Sequence, residues 1–152
     1  MERKLTALLI RLLEFRDIED VLAIQSLCRE VAQWTAWDYH RVAKGEMGGW
    51  VAERKAAIIG FLVARRIASD LEILNFAVKP DARRQGIGGA LLEEALRWAK
   101  SFDAQRAFLE VRVSNLAALR FYELYNFHTT GRRPRYYTAP IEDALVLAAS
   151  LK

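Results

Sequence analysis

The chain has 152 residues, 53% of them hydrophobic and 28% charged, which suits one globular domain with one core. We therefore expect a single domain over residues 1–152. The net charge of +4 is too small to indicate a nucleic-acid-binding protein by itself, and no stacking-aromatic pattern accompanies the basic residues. One cysteine excludes an internal disulfide, and two histidines argue against a metal cluster, so we expect no metal.

The N-terminal segment MERKLTALLIRLLEF has the charged and apolar regions of a secretory leader. Arg11 interrupts the apolar region, however, and no small-residue cleavage site follows it. The longest apolar run, residues 56–64, is too short to cross a bilayer. We therefore expect a cytoplasmic protein of a reducing compartment that has no membrane contact.

The first part of the chain predicts a strand, two helical segments and a meander. Residues 10–16 form a strand candidate that ends at Asp17, a residue type favoured at helix N-caps. Apolar residues then recur at helical spacing over residues 18–31, and the less regular stretch 33–49 predicts a loop with a short helix. An antiparallel meander of strand candidates follows: residues 50–54, 57–66 and 71–78.

The second part of the chain alternates helices with strands around a mixed sheet. Residues 88–102 carry one apolar stripe and form the clearest helix. Residues 115–127 form another helix, which Asn126 closes because asparagine tolerates the left-handed conformation. The strand candidates of this part are residues 106–113, 127–130 and 144–149.

The segment RRQGIGGA, residues 83–90, lies between a strand and a helix and carries three glycines. The first N–H groups of a helix have no internal partner and, with the helix dipole, attract anions. Glycine lets an anion approach the backbone closely, and Arg83 and Arg84 add positive charge. The segment therefore predicts a phosphate or pyrophosphate site, with a plain flexible turn as the alternative. The Gly-Lys-Ser/Thr of a P-loop is missing, and Leu91 stands where the dinucleotide fingerprint has its third glycine.

The stretch VKPDARRQGIGGALL resembles the acetyl-CoA motif of the GNAT superfamily of N-acetyltransferases, which here falls on Arg83, Gly86 and Gly88. The resemblance covers nearly the whole chain from Ile10. It implies a GNAT-like α/β (α+β) fold with a mixed, mostly antiparallel central sheet of about seven strands and about four flanking helices. It also implies acetyl-CoA as co-substrate, with the pantetheine along the preceding strand and the pyrophosphate on the glycine turn. The implied cofactor-binding residues are Phe76, Ala77, Val78, Arg83, Arg84, Gln85, Gly86, Ile87, Gly88, Gly89, Ala90 and Asn115.

Amide formation from an amine and a thioester requires a group that takes a proton from the amine and a group that protonates the leaving thiolate. Alternation in AFLEVRV places Glu110 and Arg112 on one face, and a carboxylate inside so apolar a strand is unusual. Glu110 is therefore a candidate base, or else it forms an ion pair with Arg112. Asn115 and Tyr122 share one helical stripe. Asn115 suits a helix N-cap, and Tyr122 is either a core aromatic or a proton donor.

The stretch LEVRVSNLAALRFYELYNF resembles the RimI-type alanine N-acetyltransferases of ribosomal protein, a branch of the GNAT superfamily. This resemblance implies that Glu110 acts as the base, commonly through water, and that Tyr122 acts as the acid. It also implies that Asn115 helps to hold the pantetheine arm. Asn126 departs from the glycine that is common in that branch, but both residue types suit the same cap.

The segment GRRPRYYTAPIEDALVLA, residues 131–148, resembles the part of the RimI-type enzymes that covers the peptide substrate. By this resemblance Tyr136 and Tyr137 lie on a substrate-covering loop. The stretch AQWTAWDY is similar to the other wall of the peptide groove, which would contain Trp34 and Trp37. The alternatives are a hairpin packed by aromatics for the tyrosines and core positions for the tryptophans.

The resemblance as a whole implies an acetyl-CoA-dependent N-acetyltransferase that acts on a protein N-terminal α-amine, in particular alanine of a small-subunit ribosomal protein. Transfer would be direct, in a ternary complex, because Cys28 lies in a predicted helix far from these motifs. We expect a monomer or weak dimer without a nucleic-acid partner, and the arginines of residues 132–135 either attract an acidic segment or are solvated. Two alternatives stay open: a GNAT enzyme that acetylates a lysine or a small-molecule amine, and a non-catalytic acyl-CoA-binding regulatory module.

Overall fold

The structure is a computed structural model that describes residues 7–152, so residues 1–6 of the leader-like N-terminal segment lie outside the described residues. The strands are β1 (Leu9–Leu12), β2 (Gly48–Arg54), β3 (Ala57–Ile67), β4 (Asp70–Val78), β5 (Arg106–Arg112), β6 (His128–Thr138) and β7 (Ile141–Ser150). The helices are α1 (Ile18–Leu27), α2 (Ala36–Ala43), α3 (Ile87–Ser101) and α4 (Leu116–Leu124), and short 3-10 turns lie at Phe15–Asp17 and Pro80–Ala82. No helix within residues 7–152 is long and apolar enough to cross a membrane.

The strands form a 7-stranded sheet in the order β1-β2-β3-β4-β5-β7-β6. Neighbouring strands run antiparallel, except for β4 and β5, which are parallel. A parallel pair needs a long crossover connection, and α3 supplies it. The predicted mixed, mostly antiparallel sheet with flanking helices is therefore confirmed.

Helices cover both faces of the sheet, which gives the protein two apolar layers. One layer lies under α3 and α4 and contains the predicted apolar stripe of α3, which is buried at Leu91, Leu92, Ala95 and Ala99. The other layer lies under α1 and α2, where Val21, Ile24 and Tyr39 pack in one cluster with Phe61 of β3. The alternation of β3 and β4 side chains between these layers is why both strands are apolar along most of their length.

Two strands differ from the sequence prediction. β1 ends at Leu12 instead of at residue 16, because the Asp17 carboxylate accepts hydrogen bonds from Arg11 and from the Glu14 N–H, at 2.8 Å each. These bonds fold the chain into the 3-10 turn that precedes α1. β6 continues to Thr138, well beyond the predicted end at residue 130, because it pairs with β7 in a long hairpin.

The first predicted helix ends at Leu27, four residues before the predicted end, because Cys28 is extended. The ends predicted for α4 and α2 agree with the structure. Asn126 has a φ of +65° directly after α4, the left-handed conformation expected of it. The short helix predicted within residues 33–49 is α2, and Thr35 and Asp38 form a reciprocal capping box at its start.

Candidate active site

A cleft opens where β4 and β5 separate. The two strands pair only over residues 70–72 of β4. The register between β3 and β4 then shifts between Val63 and Ala64, which leaves Leu74 as the extra residue of a β-bulge. A bulge bends its strand and increases its twist, so β4 turns away from β5 beyond this point. The resulting cleft has a volume of about 500 Å³ and is lined by both strands, by the start of α4 and by the end of β6.

The free edge of β4 presents backbone groups that no strand satisfies. Lys79 donates its N–H to the Ile59 carbonyl of β3 at 2.8 Å. Because only alternate residues of an antiparallel ladder bond to the same neighbour, Phe76 and Val78 must turn their backbone groups away from β3. The Phe76 N–H instead donates to the side-chain oxygen of Asn75 at 3.1 Å. The strand that the resemblance assigns to the pantetheine therefore has a free edge beside the cleft.

The turn between β4 and α3 carries a group of backbone N–H donors. Gly86 caps α3 with a φ of +79°, and Arg84 also has a positive φ, +63°. The first helical bond runs from the Ala90 N–H to the Gly86 carbonyl at 3.1 Å, so the N–H groups of residues 87–89 have no intrahelical acceptor. Such a group of outward-facing N–H donors at a helix start fits a phosphate.

Two glycines of this turn are required for different reasons. Gly86 adopts a left-handed conformation that a side chain would strain. Gly89 has no positive φ, but a Cβ there would lie 2.2 Å from the Tyr125 hydroxyl oxygen. A side chain at Gly89 therefore requires Tyr125 or the first turn of α3 to move.

Other side chains of the turn make contacts within the protein. The Gln85 side chain accepts a hydrogen bond from Arg54, and Ile87 is buried in the core. Only the backbone of these residues is therefore free to face a ligand. Arg84 is exposed, and in the described part of the chain its side chain has no ion-pair partner.

Arg83 holds the end of β4 to the end of α1. Its guanidinium donates to the Val78 carbonyl at 3.2 Å, pairs with Glu30 at 3.0 Å and lies 3.4 Å from the Cys28 sulfur. The expectation that Cys28 is far from the cofactor motifs is therefore wrong, because α1 ends beside the glycine turn. The Cys28 thiol is nevertheless fully buried, and burial raises its pKa, which disfavours a nucleophilic thiolate.

The Glu110 carboxylate lines the cleft and is shared by two side chains of β6. Its Oε1 lies 3.1 Å from the Arg133 Nε. Hydrogen bonding to the Glu110 carboxylate, with some burial, raises the pKa of Tyr136 to about 12. The alternative pairing of Glu110 with Arg112 is wrong, because the Arg112 guanidinium bonds Glu142 at 3.0 Å instead.

Tyr122 is both a core aromatic and a cleft residue. Its ring packs edge-on against Phe76, Phe121 and Phe127. Its side chain also lines the cleft, and within residues 7–152 its hydroxyl has no hydrogen-bond partner. Burial raises the pKa of Tyr122, so the phenol keeps its proton at neutral pH.

Asn115 is the N-cap of α4, as the sequence predicts. Its side-chain oxygen accepts the Ala118 N–H at 3.2 Å, and its side chain lines the cleft. Ser114, just before it, donates its N–H to Glu142 at 2.8 Å. Glu142 thus fixes the start of α4, because it also holds Arg112 of β5.

The segment predicted to be a substrate-covering loop is instead a bulged part of β6. Residues 134–136 bulge out opposite Asp143 alone, which accepts the Arg135 N–H at 2.8 Å. Adjacent side chains of a regular strand point to opposite faces. Because of the bulge, both Tyr136 and Tyr137 line the cleft, and their rings meet edge-on at 5.1 Å.

The opposite wall of the cleft is the connection between α1 and α2, residues 29–33. Trp34 is the next residue, but it packs half-buried on Tyr39 and is not among the residues that line the cleft. Trp37 is exposed on α2 and stacks on His40, also outside the cleft. This wall of the cleft is therefore formed by residues 29–33, and neither Trp34 nor Trp37 lines it.

Behind the cleft lies a buried polar network that the sequence analysis did not predict. The Tyr39 hydroxyl donates to the Gln25 side chain at 2.5 Å, and the Asn75 amide donates to the Tyr39 hydroxyl at 3.0 Å and to the Ala32 carbonyl at 3.0 Å. Gln25 also donates to the Trp34 carbonyl at 2.8 Å. The network fixes the cleft wall to β4. Its only signal in the sequence is polar residues at the core positions Gln25 and Asn75.

Comparison with known proteins gives matches over most of the chain. The profile of the acetyltransferase (GNAT) family matches residues 14–127. The chain is 32% identical over 140 residues to "Putative [ribosomal protein bS18]-alanine N-acetyltransferase" of Bacillus subtilis, covering 91% of this chain and 92% of that protein. It is 28% identical over 156 residues to an N-alpha-acetyltransferase of Sulfolobus acidocaldarius, covering 93% and 92%. The crystal structure of the ribosomal-protein-S18-alanine N-acetyltransferase from Escherichia coli aligns with a TM-score of 0.83 at 26% identity, covering 96% and 95%.

Proposed function

Since this chain belongs to the acetyltransferase (GNAT) family, we propose that it transfers the acetyl group of acetyl-CoA to the N-terminal α-amine of a protein. The preferred acceptor in this proposal is the N-terminal alanine of a small-subunit ribosomal protein. The observation that carries the chemistry is the meeting of Glu110 and Tyr122 in one cleft, beside the free edge of β4. The acceptor is supported by the near full-length similarity to a relative named for alanine of bS18.

The glycine turn and β4 fit acetyl-CoA as co-substrate. The backbone N–H groups of residues 84–90 would hold the pyrophosphate, because those of residues 87–89 have no intrahelical acceptor at a positive helix end. Residues 76–78 would bond the pantetheine along the free strand edge, with Asn115 across the cleft. Arg83 would act by fixing the end of β4 to the turn, since its guanidinium is already bonded to the Val78 carbonyl.

The reaction needs one proton removed and one supplied. An N-terminal α-amine has a pKa of about 8, so a sizeable fraction is neutral near pH 7.5 and a modest base suffices. In our proposal Glu110 takes the amine proton, directly or through water, as the nitrogen attacks the thioester carbonyl. A backbone N–H of β4 stabilises the oxyanion, the carbon–sulfur bond breaks, and Tyr122 donates its proton to the sulfur.

The acceptor would enter between the β6 bulge and the connection from α1 to α2. Tyr136 and Tyr137 form one side of this entrance, and residues 29–33 form the other. Trp34 would act behind the wall, because its carbonyl and its ring hold the buried network around Tyr39. We assign the double tyrosine to contacts with the first residues of the acceptor.

CoA release against a panel of amines tests this function. The panel contains a peptide that begins with alanine, the same peptide with a blocked N-terminus and an internal lysine, and a polyamine. We expect turnover only of the free alanine peptide. Turnover of the blocked peptide or the polyamine alone would contradict the N-terminal acceptor, and no turnover of any amine would favour a non-catalytic acyl-CoA-binding module.

The role of Glu110 has its own test with Glu110→Gln. This variant keeps the shape of the side chain but cannot accept the amine proton, so we expect kcat at pH 7.5 to fall by about 10²-fold or more. Binding of acetyl-CoA, measured by calorimetry, should stay unchanged and serves as the control. Full turnover in a variant that binds the cofactor would show that Glu110 is not the base.

A further inference from the structure

Arg133 forms an ion pair with the Glu110 carboxylate, the proposed base of the reaction. The Arg133 Nε lies 3.1 Å from Glu110 Oε1, and the side chain of Glu110 is 16% exposed while that of Arg133 is 55% exposed. The Arg133 guanidinium also lies 5.9 Å from the centre of the Tyr136 ring. An exposed cation thus pairs with a largely buried carboxylate of the cleft lining.

The position of Arg133 follows from the bulge in β6. Asp143 of β7 accepts the Arg132 Nε at 2.6 Å and the Arg135 N–H at 2.8 Å, so it holds the chain on both sides of Arg133. The strand β6 is the last in the sheet, and its outer edge has no neighbour within residues 7–152. The backbone of Arg133 is therefore fixed, while its long side chain can turn from Glu110 into solvent.

The guanidinium and an acceptor amine compete for the same carboxylate oxygen, Glu110 Oε1. An α-ammonium that delivers its proton to Oε1, or a water that carries it, needs the position that the Arg133 Nε holds at 3.1 Å. Removal of Arg133 without replacement would leave a partly buried charge unpaired, which is costly. An incoming ammonium replaces one cation by another, so the exchange costs little, because ion pairs with one exposed partner are weak.

We propose that Arg133 is a counter-ion that the acceptor's ammonium displaces from Glu110, so that Arg133 determines which ligands enter the cleft. This inference rests on the proposed function. A neutral ligand that pushes Arg133 aside leaves Glu110 unpaired, whereas a cationic amine pairs with it again. The acetylated product has lost its charge and can no longer hold Glu110, so the return of Arg133 favours product release.

The test compares Arg133→Gln with the matched control Arg135→Gln. Both variants remove one positive charge, from beside the β6 bulge in Arg133→Gln and from within it in Arg135→Gln, but within residues 7–152 the Arg135 side chain has no ion-pair partner. Without the competing cation, Arg133→Gln should lower the KM for an alanine-initiated peptide by about two- to fivefold. Its kcat and its KM for acetyl-CoA should stay within about twofold of wild type. Arg135→Gln should leave all three constants near wild type.

Two further measurements separate displacement from a structural effect. The inhibition constant of the acetylated peptide should fall in Arg133→Gln by the same factor as the KM of the free peptide, because both ligands must displace Arg133. Arg133→Lys keeps a cation and should keep a KM near that of wild type. Lost packing around the cleft would instead raise the KM of the peptide.

The outcomes that overturn the inference are distinct from failure of the proposed function. If wild-type protein acetylates the peptide but Arg133→Gln has an unchanged or higher KM, Arg133 is not displaced and the inference alone is wrong. A fall in KM for Arg133→Lys as large as for Arg133→Gln would also overturn it, because charge would not be the cause. If wild-type protein acetylates no amine, the proposed function fails and the inference fails with it.

Discussion

Alanine in place of Gly89 should disturb the contact between the glycine turn and α4. A Cβ at this position would lie 2.2 Å from the Tyr125 hydroxyl oxygen and 3.4 Å from the ring carbon that carries it. The first distance is far below a van der Waals contact, so either Tyr125 or the first turn of α3 must move. Such overpacking costs about 1–3 kcal/mol.

The net loss of stability is smaller than this cost. Alanine is favoured over glycine in a helix by about 1 kcal/mol, which offsets part of the strain. We therefore expect Gly89→Ala to lower the free energy of unfolding by at most about 2 kcal/mol. The displaced N–H groups of the turn should also raise the KM for acetyl-CoA.

A double-mutant cycle with Tyr125→Phe tests whether contact with the Tyr125 hydroxyl causes the loss of stability in Gly89→Ala. Without the hydroxyl, the nearest atom to a Cβ at position 89 is the ring carbon at 3.4 Å, an ordinary contact. Gly89→Ala should therefore change the free energy of unfolding little in the Tyr125→Phe background. The assay is urea denaturation of wild type, both single variants and the double variant, with the KM for acetyl-CoA measured on the same proteins. An effect of Gly89→Ala on stability that is equal in the wild-type and Tyr125→Phe backgrounds would refute the packing argument.

Three further predictions concern tyrosines. Tyr122→Phe removes the proposed acid, so steady-state kinetics should show kcat reduced by about 10–100-fold with little change in acetyl-CoA affinity. An unchanged kcat would show that Tyr122 is not the proton donor. Tyr39→Phe removes the hydroxyl that donates a hydrogen bond to buried Gln25, so urea denaturation should show a free energy of unfolding lower by about 1–3 kcal/mol. A smaller decrease would show that the network contributes little to stability. The pKa of Tyr136 is raised to about 12, above the value of about 10 in an unfolded chain, so its contribution to stability is complete below pH 10 and is lost as the pH rises toward 12. The free energy of unfolding, measured from pH 9 to 12, should fall less with pH for Tyr136→Phe than for wild type. An equal fall in both proteins would contradict the pKa shift.

Local sequence patterns predicted most of the fold. The apolar stripe of α3 and the alternation in β5 are signals within one segment, because side-chain periodicity follows directly from helix and strand geometry. The cap at Asn126 and the glycine turn at residues 83–90 were predicted for the same reason. The strand over residues 10–16 was too long, since the turn that ends it depends on a hydrogen bond from Arg11 to Asp17.

The arrangement of the cleft depends on contacts that no local pattern encodes. The pairing of Glu110 with Arg133 joins two strands that meet only through β7, and the bulge that makes it possible appears as a register shift between β6 and β7. The proximity of Cys28 to the glycine turn follows from where α1 ends on the sheet. Spacing along the chain could suggest Glu110 and Tyr122 as candidates, but it could not identify their partners.

Localisation of the acetyl group on a peptide with two amines tests the central claim most directly. The peptide begins with a free alanine and carries an unblocked internal lysine, and the product is fragmented by mass spectrometry after a single limited reaction with acetyl-CoA. Our account predicts that the acetyl group lies on the α-nitrogen of alanine, with the lysine unmodified. Acetylation of the lysine with a free α-amine remaining would contradict it.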